Sequence, residues 1–424
     1  MSDWKRQTFK EAPIEIIDGD RGTNYPTKEE FQNYGYCLFL NTGNVTKNGF
    51  YFNSTDFISQ EKDSQLRKGK AKLKDIILTT RGTVGNVAYF NESIPYKNIR
   101  INSGMVILRA DESKIYPYYL YLYLRSSVFK KQILKNTSGS AQPQLPIGNL
   151  HNVIIPYPEI STQKKIASVL SSLDDKIELN NRINAELENL AKTIYDYWFV
   201  QFDFPDENGK PYKSSGGKMV YNQELKREIP AGWEVKKLSY FCDKIGDGIH
   251  GTPKYVDISD YSFINGNNLN NGFIVIDNDT KKVSLDEYKK YFIELNGETI
   301  LLSINGTLGN LAIYTGEKVM LGKSAAYINC KRKYRPYCYQ FLKLEHTQKQ
   351  LWNVATGSTI KNLSLESLKS ILILFPGEDL IKRYYELTKP LDYKRINIFK
   401  QNQQLTQLRD WLLPMLMNGQ ITVK

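Results

Sequence analysis

Internal duplication constrains this chain more than any other feature, because one long unit present twice must fold into two similar bodies. Thr79-Thr80-Arg81-Gly82-Thr83-Val84-Gly85-Asn86-Val87-Ala88 returns as Ser303-Ile304-Asn305-Gly306-Thr307-Leu308-Gly309-Asn310-Leu311-Ala312. Ile17 to Thr23 pairs with Gly246 to Thr252 once Asp18 is set on Asp247, and the same alignment sets Trp4 on Trp233. Gly139-Ser140 is answered by Gly357-Ser358, a match that runs on through Leu145 and Leu363 to Pro158 and Pro376. The spacing drifts slightly between these segments, as loop insertions would make it, whereas a solenoid would repeat many short units.

Each copy ends in a helical pattern. Ile166, Leu170, Leu173, Ile177, Leu187, Ala191, Ile194 and Trp198 fall alternately four and three apart, with Asn180 and Asn184 filling the two missing positions. That is a coiled-coil seam with polar residues to set its register. A second seam reads Leu387, Leu391, Ile398, Leu405, Leu408, Leu412 and Met415, with Lys394 and Gln401 between, and Pro390 predicts a helix start or kink. The remainder of each copy, rich in Tyr, Ile, Val and Asn with frequent Gly turns, reads as short strands mixed with helices such as Tyr116 to Lys135 and Pro336 to Val354. A polar linker, Phe202 to Ile229, joins the copies.

The expected fold class is therefore α/β (α+β): two domains of mixed strands and helices, joined and separated by two long antiparallel coiled-coil helices in a pseudo-two-fold repeat. The expected layout is a first domain over 1–158, a helix over 159–200, a linker over 201–231, a second domain over 232–376, a second helix over 377–417 and a tail over 418–424. A helix of about 38 residues spans ~57 Å at 1.5 Å per residue. Domains so spaced could face one DNA duplex roughly one turn of ~34 to 36 Å apart.

Charge favours such a partner: 57 Lys and Arg against 45 Asp and Glu give a net charge of +12. No apolar run reaches the length of a membrane helix, and Met1 to Arg6 leads into polar sequence rather than a signal peptide, so a cytoplasmic location is expected. Cys37, Cys242, Cys330 and Cys338 lack Cys-x-x-Cys spacing, and the histidines are His151, His250 and His346, so neither a zinc site nor a disulfide framework is expected.

Catalytic readings fare poorly. A DNA aminomethyltransferase needs Asn or Asp before Pro-Pro and an aromatic residue to hold the flipped base, and the chain has no Pro-Pro pair. Pro205-Asp206 with Glu234-Val235-Lys236 could mimic nuclease ligands, but the aspartate sits in the polar linker and the triplet has no counterpart in the other copy. Gly322-Lys323-Ser324 suggests a phosphate loop, yet Glu317 stands where the first glycine is required. His250 and Asp247 could pair as acid and base, but the flanking Gly246, Gly248 and Gly251 read more simply as a tight turn.

The glycine turns are better read as DNA-facing loops, since glycine allows close backbone approach and leaves N–H groups for phosphates. In the first copy the candidates are Asp18, Gly19, Asp20, Arg21 and Gly22; Arg81, Gly82, Thr83, Gly85 and Asn86; and Gly139, Ser140, Gln142 and Gln144. In the second they are Asp247, Gly248, His250, Gly251, Thr252 and Lys254; Asn305, Gly306, Thr307, Gly309 and Asn310; and Gly357, Ser358 and Lys361. Arg21 and Arg81 suit guanine, whereas Asn305 and Gln142 suit adenine.

Ile166 to Pro205 resembles the specificity subunits of type I restriction-modification systems, most closely in Leu173-Asp174-Asp175-Lys176-Ile177-Glu178-Leu179-Asn180, Tyr195-Asp196-Tyr197-Trp198-Phe199 and Phe202-Asp203-Phe204-Pro205. Leu408 to Gly419 resembles that family's second helical region, and Gly246 to Pro253 is similar to another of its stretches. The resemblance implies a non-catalytic subunit that binds double-stranded DNA at a bipartite target and binds no cofactor itself. It also implies two modification subunits carrying S-adenosylmethionine and restriction subunits using ATP and Mg, with no membrane involvement. The rival readings are a self-sufficient methyltransferase or nuclease and a coiled-coil scaffold that binds proteins.

Overall fold

The computed structural model describes residues 4–137, 143–277, 279–358 and 360–423. The chain divides into two compact units, Met1–Asn180 with Gln401–Lys424, and Asn181–Lys400. Each is built on a four-stranded antiparallel sheet. In the first unit the strand order is Ile14–Asp18, Met105–Ala110, Ile76–Thr79, Val87–Tyr89. In the second it is Cys242–Asp247, Ala325–Cys330, Thr299–Ser303, Leu311–Ile313.

These central strands are apolar on both faces because two different cores cover them. Ile76, Leu78, Val106 and Leu108 point into a helix-covered core with Tyr119, Leu120 and Phe129, while Ile77, Met105 and Ile107 point to the opposite side with Leu38, Leu40 and Ile99. That division follows the two-residue period of a strand. In the second unit Ile300, Leu302 and Ile328 meet Tyr337 and Leu342, and Leu301 and Tyr327 meet Ile264 and Leu321. The far layer in each unit contains one parallel strand pair, Leu38 with Ile99 in the first and Phe263 with Met320 in the second.

Two expected helices are each divided in two. Pro117–Arg125 and Ser127–Asn136 are separated by Ser126, whose backbone is extended (φ −69, ψ 154) and whose Oγ accepts the Phe129 N–H at 3.3 Å. Arg335–Lys343 and Glu345–Val354 break in the same way at Leu344. The stretch read as a linker is also folded. Met219–Asn222 and Arg227–Pro230 pair as a hairpin, the Asp203 carboxylate accepts from Ser214 N at 2.7 Å and Ser214 Oγ at 2.6 Å, and Ile229 packs with Phe202 and Leu374. Its polar composition hid a hairpin and, before it, a loop held by the buried Asp203 carboxylate.

The long helices run Ile160–Tyr195, extended by a π-turn over Asp196–Val200, and Glu378–Met417. They pair antiparallel. In the first unit Asn180 Nδ2 donates to Gln401 Oε1 and Asn402 Oδ1, both at 2.8 Å, and Asp174 meets Arg409. In the second unit Glu188 meets Arg395, and the Tyr195 and Tyr384 rings lie 6.0 Å apart. Each unit's core draws on both helices: Leu413, Leu416 and Met417 pack with Ile166 and Leu170, and Tyr195, Trp198 and Phe199 pack with Ile381 and Tyr384. This is why the division between units crosses both helices rather than falling at their ends.

The first seam is covered at every expected position, with Asn180 buried. The second is mostly displaced by one residue, although Ile398 is buried where expected. Leu387 and Leu408 are exposed, and the covered face carries Tyr384, Thr388, Asp392, Arg395 and Asn402. Polar and charged side chains occupy much of that face, so an apolar pattern could not mark it. The helix also runs through Pro390 instead of starting there; Pro390 and Glu386 are both exposed, so water can satisfy the carbonyl that the proline leaves without a partner. Asn180→Ala should destabilise the protein by ~1 to 3 kcal/mol, because it removes the donor from which the buried Asn402 Oδ1 accepts. An unchanged denaturant midpoint would show that the amide cluster contributes nothing to the pairing.

Candidate nucleic-acid interface

In the first unit three backbone segments stack at one end of the central sheet. Strand Ile14–Asp18 delivers Gly19, where a Cβ would collide with the Asn102 carbonyl, so only glycine allows this approach. Thr80 and Arg81 donate their N–H groups to Gly104 O at 2.8 and 3.2 Å, and Leu145 N donates to Thr80 O at 2.9 Å. Arg81 pairs across to Gln144. Arg21, Arg81 and Gln144 are all exposed there, and Arg21 NH2 reaches Asp18 Oδ1 at 3.2 Å and Ser103 O at 3.4 Å.

Not every candidate takes part in this surface. Gly22, Gly82 (φ +71) and Thr83 are exposed on it. Asp20 turns inward and organises the loop: its carboxylate accepts Gly22 N and Arg67 N at 2.7 Å and Lys68 N at 3.3 Å. The Gly22 amide, against the opposing effect of burial, holds that carboxyl below its ordinary range. Gly85 faces Ile133, and the Asn86 amide donates to Val45 O at 3.0 Å, so both are scaffold. Gly139, Ser140 and Gln142 lie outside the described residues.

The second unit repeats the same frame with other side chains. Gly248 lies against the Leu321 carbonyl, and Ile249 N donates to Leu321 O at 2.9 Å. Ile304 N donates to Ser324 O and Leu363 N to Ile304 O, both at 2.9 Å, matching the bonds made by Thr80 and Leu145. Asn305 pairs with Asn362, its Nδ2 donating to Asn362 Oδ1 at 3.3 Å. The exposed His250 ring sits 2.9 Å from Asp247 Oδ2.

Gly251, Thr252, Lys254, Gly306, Thr307, Asn310, Gly357 and Ser358 are exposed. The Lys254 N–H meets Glu287 Oε1 at 3.4 Å, and Gly357 has φ +97. Gly309 faces Gln348 and is scaffold. Lys361 is half-buried, with Nζ 3.4 Å from Ala355 O and 5.8 Å from the centre of the Trp352 ring.

Sequence reasoning missed two sets of residues. One is the Asn102-Ser103-Gly104 turn with its counterpart Gly322-Lys323-Ser324, where Lys323 is exposed beside the Gly248 turn. Only Gly322-Lys323-Ser324 attracted notice, as a failed phosphate loop. The other is Asn362, which the Gly139-to-Gly357 alignment places opposite Gln144. A shared Asn cap also passed unseen: Asn41 and Asn44 bracket one turn, and Asn265 and Asn268 bracket its repeat.

What this surface offers is hydrogen-bond donors and acceptors on loops tied to one another by backbone hydrogen bonds. The thiols are withdrawn from chemistry: Cys37 is buried and pushed up to about 12 by that burial, and Cys338 is raised by burial as well. Among the described residues no group of His, Cys, Asp and Glu could hold a metal ion, and no helix is long and apolar enough to cross a membrane.

Known proteins resemble this chain in sequence and in fold. The type I restriction modification DNA specificity domain family matches residues 2–189 and 230–407. The type I restriction enzyme MjaIX specificity subunit of Methanocaldococcus jannaschii is 29% identical over 363 residues, covering 82% of this chain and 78% of that protein. The HindI specificity subunit of Haemophilus influenzae is 26% identical, covering 99% of this chain and 100% of that protein. In fold, the crystal structure of the S subunit of a type I restriction-modification system from M. genitalium superposes with a TM-score of 0.55 at 18% identity, over 98% of this chain and 96% of that one. The chain thus belongs to the type I restriction-modification DNA specificity family, as a non-catalytic specificity subunit carrying two copies of the domain.

Proposed function

We propose that this subunit reads a bipartite sequence in double-stranded DNA, one half-site per unit, across a gap that it does not read. The observation that carries this reading is one loop frame built twice with different side chains: exposed Arg21, Arg81 and Gln144 in one unit, and exposed His250, Lys323 and Asn362 with half-buried Asn305 in the other. Phosphate contacts come from loop N–H groups and from the excess of basic residues, which positions the duplex, while the side chains discriminate bases. The chain holds no cofactor. It directs two modification subunits, which bring S-adenosylmethionine to an adenine in each half-site, and restriction subunits driven by ATP and Mg, all acting in the cytoplasm.

Mapping methylated adenines in DNA from cells that express the chain with its modification partner tests this reading. Two short motifs separated by a constant unread gap are expected; a single continuous motif would overturn it, as would methyl transfer by the chain alone. Arg81→Ala should then cost ~1 to 3 kcal/mol of discrimination at one base pair of the first half-site, with the second unchanged. Equal weakening on all sequences would make Arg81 a phosphate contact instead.

A further inference from the structure

In each unit a carboxylate on the first long helix joins it both to the second long helix and to a helix of the recognition domain. In the first, Asp174 on the first long helix takes Arg125 NH1 on Oδ2 at 3.0 Å and Arg409 NH1 on Oδ1 at 2.8 Å. Arg125 ends helix Pro117–Arg125 of the recognition domain, and Arg409 lies on the second long helix. The Tyr121 ring, four residues before Arg125, lies 5.3 Å beneath its guanidinium.

In the second unit Glu188 takes the same place. Lys343, which ends helix Arg335–Lys343, holds Oε1, and Arg395 of the second long helix lies 2.9 Å from Oε2. Tyr339, again four residues before the basic residue, has its ring 5.6 Å from Lys343 Nζ and donates its hydroxyl to Glu188 Oε1 at 3.3 Å.

We propose that these two triads, Arg125–Asp174–Arg409 and Lys343–Glu188–Arg395, are positioning residues that fix the angle of each recognition domain about the helix pair and so restrict the length of gap the subunit accepts. The proposal rests on the bipartite reading above. Part-buried ion pairs lose in desolvation much of what they gain in attraction, so stability alone is a poor reason to build one at the same joint twice. What they add is direction. Apolar packing such as that of Ile166 and Leu170 against the domain core is non-directional. By contrast Asp174, each of whose oxygens accepts from a different guanidinium, and Glu188, whose Oε1 takes both Lys343 Nζ and the Tyr339 hydroxyl while Arg395 stands beside Oε2 as an ion pair, are held in direction.

Direction matters because one added base pair moves the second half-site by ~3.4 Å and turns it by about 35° around the duplex, at ~10 base pairs per turn. A domain free to rock could follow that displacement. A locked one cannot.

The experiment uses the full chain with its modification partner and a DNA library carrying both half-sites at the native gap and at gaps one pair shorter and longer. In Arg125→Gln, Asp174→Asn and Lys343→Gln, preference for the native gap should fall by roughly 10-fold, the change expected for losing one hydrogen-bonded charge, while half-site bases stay the same. The triple variant should fall further. Unchanged gap preference in all three overturns the lock, and so does uniform loss of binding at every gap in Arg125→Gln, which leaves Arg409 on the carboxylate and removes only the Arg125 bond to Asp174 and its stacking over Tyr121. A wild-type complex without gap preference would instead refute the bipartite reading itself.

Discussion

Gly248→Val should lower discrimination at the second half-site by roughly 10- to 100-fold while leaving the first unchanged. A Cβ at this position would lie inside the Leu321 carbonyl and 2.6 Å from Gly322 O, and none of these atoms is a mobile side-chain tip. Leu321 cannot withdraw, because strand Val319–Leu321 is paired in parallel with Tyr261–Ile264 and its Met320 and Leu321 side chains are buried. The turn carrying His250 must therefore move away from the loop carrying Lys323. Crowding of this kind costs ~1 to 3 kcal/mol in a packed site, enough to lower discrimination at the second half-site by roughly 10- to 100-fold. Gly251→Val on the same turn is the comparison: nothing lies within 4 Å of a Cβ there and its φ is not positive, so any loss it shows comes from a side chain added to the DNA-facing surface rather than from a displaced loop, and it should be smaller than that of Gly248→Val. Binding selections on libraries randomised in one half-site at a time give the readout. If both variants keep wild-type selectivity, the close approach at Gly248 does not position the reading loop.

The contrast between these two glycines also shows what could be read from the sequence. The repeat alone located the turns at Asp18, Arg81, Asp247 and Asn305, because glycines recurring with the same spacing in both copies mark a backbone need rather than chance. It did not separate Gly248, which is forced by a neighbouring carbonyl, from Gly251, which stands in open space. The reason is that Leu321 is distant in sequence and only the sheet brings it near. Asp20 illustrates the converse error: an acidic residue beside an arginine in a glycine turn looks available to a ligand, yet three loop amides have already claimed its oxygens. The first long helix was legible because its covered face is mostly apolar. The second was mostly displaced by one residue because Thr388, Asp392, Arg395 and Asn402 line its covered face, and burial of charge follows from partners such as Glu188 that periodicity does not reveal.

Those partners define where the spacing of the target can be altered. Four residues inserted after Asn180 together with four after Lys400 should lengthen the preferred gap by one or two base pairs and leave both half-sites unchanged. The two points coincide with the division between the units, so every pairing described here stays within its own unit, including Asn180 with Asn402 and Glu188 with Arg395. Four helical residues add ~6 Å and about 40° of rotation, since a turn takes 3.6 residues at 1.5 Å each. Two base-pair steps of ~3.4 Å come close to that advance, and heptad packing absorbs a four-residue stutter more readily than a single insertion. Both helices must change, because the stretch from Asn180 to Glu188 on one is matched by Arg395 to Asn402 on the other. An insertion in the first helix alone should therefore weaken binding at every gap. Methylation mapping of the doubly inserted subunit decides the matter: the original gap with altered half-site bases would mean that the helix pair does not set the spacing, and the architecture proposed for recognition would fail with it.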